Sequence, residues 1–156
     1  MNQRNTNHLI RPWGLGLLLV WMGWFGIQTP VLAADLVVYK SPTCGCCGAW
    51  IKHMEQNGFT VEVHEKDAMT EIKRQLGVPA SLESCHTGVI GGYLVEGHVP
   101  ATDVRRLLAE KPSVKGIAAP GMPVGSPGME VPGQKPEPYQ VLSFTGNGEA
   151  KLFANH

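Results

Sequence analysis

The chain has 156 residues, with 13 Lys+Arg against 13 Asp+Glu, 43% hydrophobic residues and four cysteines. This length supports one domain with a modest core. The balanced charge, without a basic patch or arginine-rich run, argues against nucleic acid and anionic membrane as partners, and no phosphate loop, Ser-His-Asp set or paired-carboxylate motif stands out.

The first 33 residues have the pattern of an export signal. Arg4 and Arg11 precede an apolar run from Trp13 to Ile27, Pro30 breaks it, and Val31-Leu32-Ala33 offers a cleavage site. A run of about 15 residues falls short of the roughly 20 that a membrane span needs. Cleavage after Ala33 would leave one domain over 34–156, periplasmic or otherwise exported, with no stable membrane insertion. All four cysteines lie in that part, where an oxidising compartment ordinarily favours disulfides.

Residues 35–40 (DLVVYK) are a β-branched run and predict a strand. Cys47, Trp50, Ile51 and Met54 then recur at helical spacing with Gly58 beyond, predicting a helix over 46–57. TVEVHE (60–65) alternates as a half-buried strand should. Met69, Ile72 and Leu76 mark the inner stripe of a second helix, closed by Gly77 and Pro79. In CHTGVIGGYLVEGHVP (85–100), two short strands divide at Gly91-Gly92 and predict a tight hairpin. Thr102 opens a third helix, with Val104, Leu107 and Leu108 facing inward and Pro112 past its end. The charged residues of the second and third helices read as solvated faces. Alternating units of this kind imply an α/β fold, a small mixed sheet with helices on its faces.

Over 112–138 the composition shifts to seven prolines and five glycines. That excludes a regular element and predicts a long Pro/Gly/Met loop held by something other than backbone pairing. Beyond it, YQVLSF (139–144) and KLF (151–153), joined by TGNGEA, read as a terminal β-hairpin. Order on both sides means that the loop crosses the domain.

SPTCGCCGAW (41–50) puts three cysteines into four positions at a strand-to-helix junction. Free amides and the dipole at a helix start favour thiolate, the form that attacks disulfides and binds metal. Cys47 lies on the Trp50, Ile51 and Met54 stripe and should point inward. Cys46 is turned about one hundred degrees away, and Cys44, in the turn, should be the most accessible.

The Cys44/Cys47 C-x-x-C pair between a first strand and first helix resembles the thioredoxin superfamily. GVPASLESCHTGVIGGYLVEGHVP (77–100), followed by a helix, resembles that fold's proline loop, hairpin and final helix. Three motifs in order, YKSPTCGCCGAW, VPASLESCHT and GIAAPGMPVGSPGMEVPG, are similar to an exported copper-resistance family often called CopG-like, whose domain was long labelled as of unknown function. The resemblance covers nearly all of 34–156 and implies a thioredoxin-like fold with a soft-metal site on the C-x-C-C cluster. It leaves the reaction open. The chain departs from dithiol oxidoreductases in having Thr43, not tryptophan, before Cys44, and Cys46 between the pair, where a third thiol invites mispairing.

A thioredoxin-like arrangement would bring Cys85-His86 to the first helix, adding a fourth thiolate and an imidazole. The alternatives are a disulfide from Cys85 to Cys44 or Cys47, and a loop carbonyl as the partner of His86. Met122 and Met129, in GMPVGSPGME, carry soft neutral thioethers that suit Cu(I) and are poor ligands for zinc; otherwise they fill gaps over the core. His53, His64, His98 and His156 read as surface residues, and Met54 and Met69 as core.

Three functions follow. The first is a periplasmic protein of copper resistance that binds Cu(I), with a multinuclear thiolate-bridged site and cycling between Cu(I) and Cu(II) as further expectations. Its partners would be copper ions and other exported copper-handling proteins. The second is a thiol–disulfide oxidoreductase using Cys44 and Cys47, and the third is a disulfide-stapled binding module without metal. Zinc is the rival metal, because four cysteines can close a tetrahedral site.

Overall fold

The computed structural model describes residues 35–156; the expected leader over 1–33 lies outside them. In chain order the elements are β1 (Leu36–Lys40), α1 (Gly45–Gln56), β2 (Val61–Glu65), α2 (Met69–Leu76), a short 3-10 turn (Ala80–Leu82), β3 (His86–Ile90), β4 (Tyr93–Gly97), α3 (Ala101–Glu110), β5 (Gly116–Ala119), β6 (Gln140–Phe144) and β7 (Ala150–Asn155). The strands form one mixed sheet in the order β2-β1-β3-β4-β5-β6-β7. β1 with β2 and β4 with β5 are parallel, and the remaining neighbours are antiparallel. This is the expected α/β architecture, with the terminal hairpin in place.

Side-chain alternation divides the core into two layers. Leu36, Val38, Val95, Ile117 and Val141 join Trp50, Ile51 and Met54 of α1 and Val104 and Leu107 of α3 on one face. Leu94, Ala118 and Phe144 project to the other face, against Val78 and Leu82 after α2. Successive residues of β4 and β5 therefore enter opposite layers, so the middle of the sheet is covered on both sides. β2 is an edge strand and more exposed than its alternation suggested, with Val63 in solvent.

Three expectations are corrected. The loop over 112–138 contains a regular element, because Gly116–Ala119 pairs with β4 and β6 as β5; small side chains there let both layers close over it. The stripe of α2 is shifted: Met69, Ile72 and Leu76 are half-buried, whereas Lys73 is buried. The helices also do not solvate all their charges, since Lys73 meets Glu96 inside the fold and Asp103 of α3 is buried against His156.

Candidate metal centre

β1 ends at Lys40, and the chain turns through Ser41–Thr43 into α1. Cys44 is the N-cap residue, in extended conformation, which places Cys46 and Cys47 in the first helical turn. Cys47 is buried and points inward with Trp50 and Met54, as its stripe predicts. Cys44 and Cys46 are both half-buried. Cys44 and Cys47 are joined in a disulfide, while Cys46 and Cys85 are free. Cys85 is therefore not the disulfide partner that the alternative reading allowed. Cys46 Sγ lies 3.6 Å from Cys44 Sγ, and the sulfurs of Cys44, Cys46, Cys47 and Cys85 all lie within 4.8 Å of one another.

Cys85 sits just before β3, and its sulfur meets two imidazoles. It lies 3.4 Å from His86 Nδ1 and 3.0 Å from His98 Nε2. His98, read from the sequence as a surface residue, is fully buried. Its Nδ1 is 2.7 Å from the carbonyl oxygen of Pro127. A carbonyl can only accept, so Nδ1 carries the proton and the Nε2 lone pair faces Cys85. A metal-binding histidine has this arrangement, donating its second nitrogen to a fixed acceptor.

The missed signal lay in the hairpin. A two-residue turn at Gly91-Gly92 pairs Ile90 with Tyr93 and Thr87 with Glu96. Counting outward on both strands brings Cys85 opposite His98.

His86 is also fully buried, its ring 4.3 Å from that of Trp50 and 5.0 Å from that of His98, centre to centre. Its Nε2 has no hydrogen-bond partner within 3.5 Å among the described residues, and the nearby Gly97 backbone only partly offsets the lowering of the ring's pKa by burial. A buried nitrogen without a partner is costly unless another group uses its lone pair. The other histidines among the described residues are committed elsewhere. His53 is half-buried and not a solvent-facing residue, because its Nε2 accepts the N–H of Ala101 at 3.2 Å. His64 pairs with Glu62 at 2.8 Å and His156 with Asp103 at 2.7 Å.

The proline-rich segment closes over this centre. Ser84 donates its hydroxyl to the Gly121 carbonyl, His98 holds the Pro127 carbonyl, and Gly128 packs onto the first turns of α1. Gly128 has φ 83°, and a Cβ there would stand 2.7 Å from Trp50 N and 3.1 Å from the Cys46 carbonyl oxygen. Only glycine accepts both the conformation and the approach. The segment is also tied by its own turns, with Ser126 N–H to the Pro123 carbonyl and Met129 N–H to the Ser126 carbonyl. Hydrogen bonds, several of them backbone to backbone, thus hold the segment in place. Met122 is 55% exposed, and Met129 is half-buried.

Burial sets the protonation of the cluster. It pushes the Cys85 thiol up to about 11, with the neighbouring Cys46 adding to the shift, so metal binding at neutral pH must displace a proton. Burial also holds His98 below its usual 6.5, against the opposing pull of the Pro127 carbonyl and Glu130. His86 is held well below 6.5 by burial, reinforced by His98 and Lys73. Both imidazoles are thereby kept neutral, the form that binds metal.

Because the folded values are depressed, the stability they contribute is complete above about pH 6.5 and is lost as pH falls towards the folded values. The metal-free protein should therefore melt at progressively lower temperature below about pH 6.5. Burial raises Glu96, which gives the opposite slope above its ordinary 4.5, so the diagnostic comparison is with His98→Gln. Thermal melts across this range should fall less steeply for the variant; equal slopes would count against a buried neutral His98.

Residues 82–129 match a family described as "Protein of unknown function, DUF411". Two solved structures are similar to this chain. One, "Copper resistance protein copG- Form 1", has 50% sequence identity and a TM-score of 0.73, covering 78% of this chain and 95% of that one. The other, "Copper resistance protein copG- Form 2", has 50% identity and a TM-score of 0.74, covering 79% and 98%. No curated protein matches the chain.

Proposed function

The chain belongs to the family of the copper resistance protein CopG, and we propose that its dithiol form, with Cys44 and Cys47 as thiols, binds copper as Cu(I). The observation that carries this reading is the convergence of four cysteine sulfurs within 4.8 Å of one another. Thiolates so close can bridge several Cu(I) ions, and soft sulfur selects copper in that state. His86 and His98 extend the donor set beside Cys85. Zinc would require only one closed tetrahedral site, and it gives no use to a second cluster of two imidazoles on the same cysteine. Met122 and Met129 complete the proposed ligands. Met122 follows Gly121, whose carbonyl accepts the hydroxyl of Ser84, the residue before Cys85, and its side chain is exposed and not committed to the core.

The disulfide also supports a redox role. A reduced Cys44/Cys47 pair can give one electron to each of two Cu(II) ions, forming the S–S bond, two Cu(I) and, from two thiols, two protons. The same disulfide favours a second reading, thiol–disulfide exchange with Cys44 attacking and Cys47 resolving. Export to the periplasm, cleavage after Ala33 and exchange with other exported copper-handling proteins complete the proposal. Among the described residues no helix is long and apolar enough to cross a membrane.

Metal analysis and thiol counting on protein purified anaerobically from copper-supplemented cells test the reading. We expect copper above one ion per chain, with the thiols reduced. Met122→Leu, which keeps size and removes the thioether, should weaken Cu(I) binding without loss of fold. Unchanged affinity in Met122→Leu/Met129→Leu would make both methionines packing residues. Insulin reduction by the metal-free dithiol form should be slow, because Cys46 competes as resolving thiol. Rapid turnover lost in Cys44→Ser and kept in Cys46→Ser would favour the exchange reading.

A further inference from the structure

Resting on that reading, we propose that the buried Lys73–Glu96 pair is a positioning device for the Cys85–His86 end of the copper site. The Glu96 carboxylate grips both flanks of this dipeptide. Its Oε1 accepts the Ser84 N–H at 2.6 Å and the Lys73 ammonium at 2.5 Å, and its Oε2 accepts the Thr87 hydroxyl at 2.6 Å. Lys73 also donates to Thr87 Oγ1 at 3.0 Å, closing the ring.

The grip matters because Cys85 lies outside the strand ladder. β3 begins at His86, paired with Lys40 of β1, and its pairing with β4 is registered from Thr87 opposite Glu96. The placement of the Cys85 sulfur therefore depends on how Ser84 is held. Ser84 is held two ways, its amide by Glu96 and its hydroxyl by the Gly121 carbonyl, and its side chain packs close to the Gly97 backbone. At Gly97, with φ 73°, a Cβ would stand 2.6 Å from Ser84 Oγ. Glu96 lies two residues before His98, so β4 and the residue just past its end deliver both the clamp on the Cys85 segment and the imidazole that meets its sulfur.

A stabilising role alone does not account for this placement. Buried ion pairs rarely outperform well-packed apolar residues of similar volume. Here every polar contact of the carboxylate goes to a residue flanking the dipeptide or to the lysine that holds the carboxylate itself. The arrangement is that of an outer-shell partner, whose loss typically weakens metal binding about ten- to a hundredfold.

The test is a matched pair of neutral, volume-conserving double variants, titrated with Cu(I) against a chromophoric chelator after reduction. Lys73→Met/Glu96→Gln keeps an acceptor for the Ser84 N–H, whereas Lys73→Met/Glu96→Leu removes it. We expect the Leu pair to fold, to show four titratable thiols, and to lose about tenfold or more in Cu(I) affinity with an altered copper absorption spectrum. The Gln pair should stay within about threefold of the parent protein. Parent-like affinity in the Leu pair, or equal losses in both pairs, would overturn the proposal. If the Leu pair does not fold, Thr87→Val decides, with weakened binding expected and unchanged binding overturning the proposal. Failure of the parent protein itself to take up Cu(I) would instead refute the copper reading on which this rests.

Discussion

Cys85→Ser should reduce Cu(I) affinity by more than the roughly ten- to hundredfold typical of losing an outer-shell partner. Cys85 is the shared member of both clusters, the four-sulfur group and the set with His86 and His98. Its removal therefore takes a bridging thiolate from the first and the only sulfur from the second. Cys46→Ser should also lower copper content, although Cys46 lies outside the Cys44–Cys47 disulfide and a dithiol enzyme would have no need of it. Bound copper measured for each variant separates the two chemistries. Full retention in Cys46→Ser would remove the case for a cluster of thiolates and revive the dithiol enzyme.

The second large effect is on stability. Glu96→Ala should destabilise the domain by about 3–5 kcal/mol, because it leaves the Lys73 ammonium buried without its carboxylate. The Ser84 amide and the Thr87 hydroxyl lose their acceptor as well. In a domain of this size the melting temperature should drop on the order of 10 °C or more. Lys73→Met/Glu96→Leu should cost less than the single change, since no charge is then stranded. A melting temperature unchanged in Glu96→Ala would show that water reaches the pair and that the clamp is not a closed buried ring.

The residues that follow a single local rule were legible in the sequence. The stripe from Cys47 to Met54, the Gly91-Gly92 turn and the terminal hairpin each follow from one period or one turn signal, and each stands where expected. The crowding of Cys44, Cys46 and Cys47 marked a candidate cluster, and the thioredoxin-like resemblance brought Cys85 to it, where the four sulfurs do meet. Lys73 and His98 were missed, because their burial is set by partners distant in sequence. Lys73 enters the core only where Glu96 of another element receives its charge, which no helical stripe can show. His98 reads as a turn residue until strand pairing is followed past the hairpin to Cys85. β5 was hidden for a related reason. Gly116, Ala118 and Ala119 have little strand propensity, and only two waiting neighbour strands make their backbone a ladder.

The most direct measurement is X-ray absorption at the copper edge on the reduced, anaerobically loaded protein. The account predicts an edge typical of Cu(I), a first shell dominated by sulfur, and copper–copper scattering from ions that share thiolates. A shell of nitrogen and oxygen with little sulfur, in a protein whose four thiols remain free to react, would contradict it.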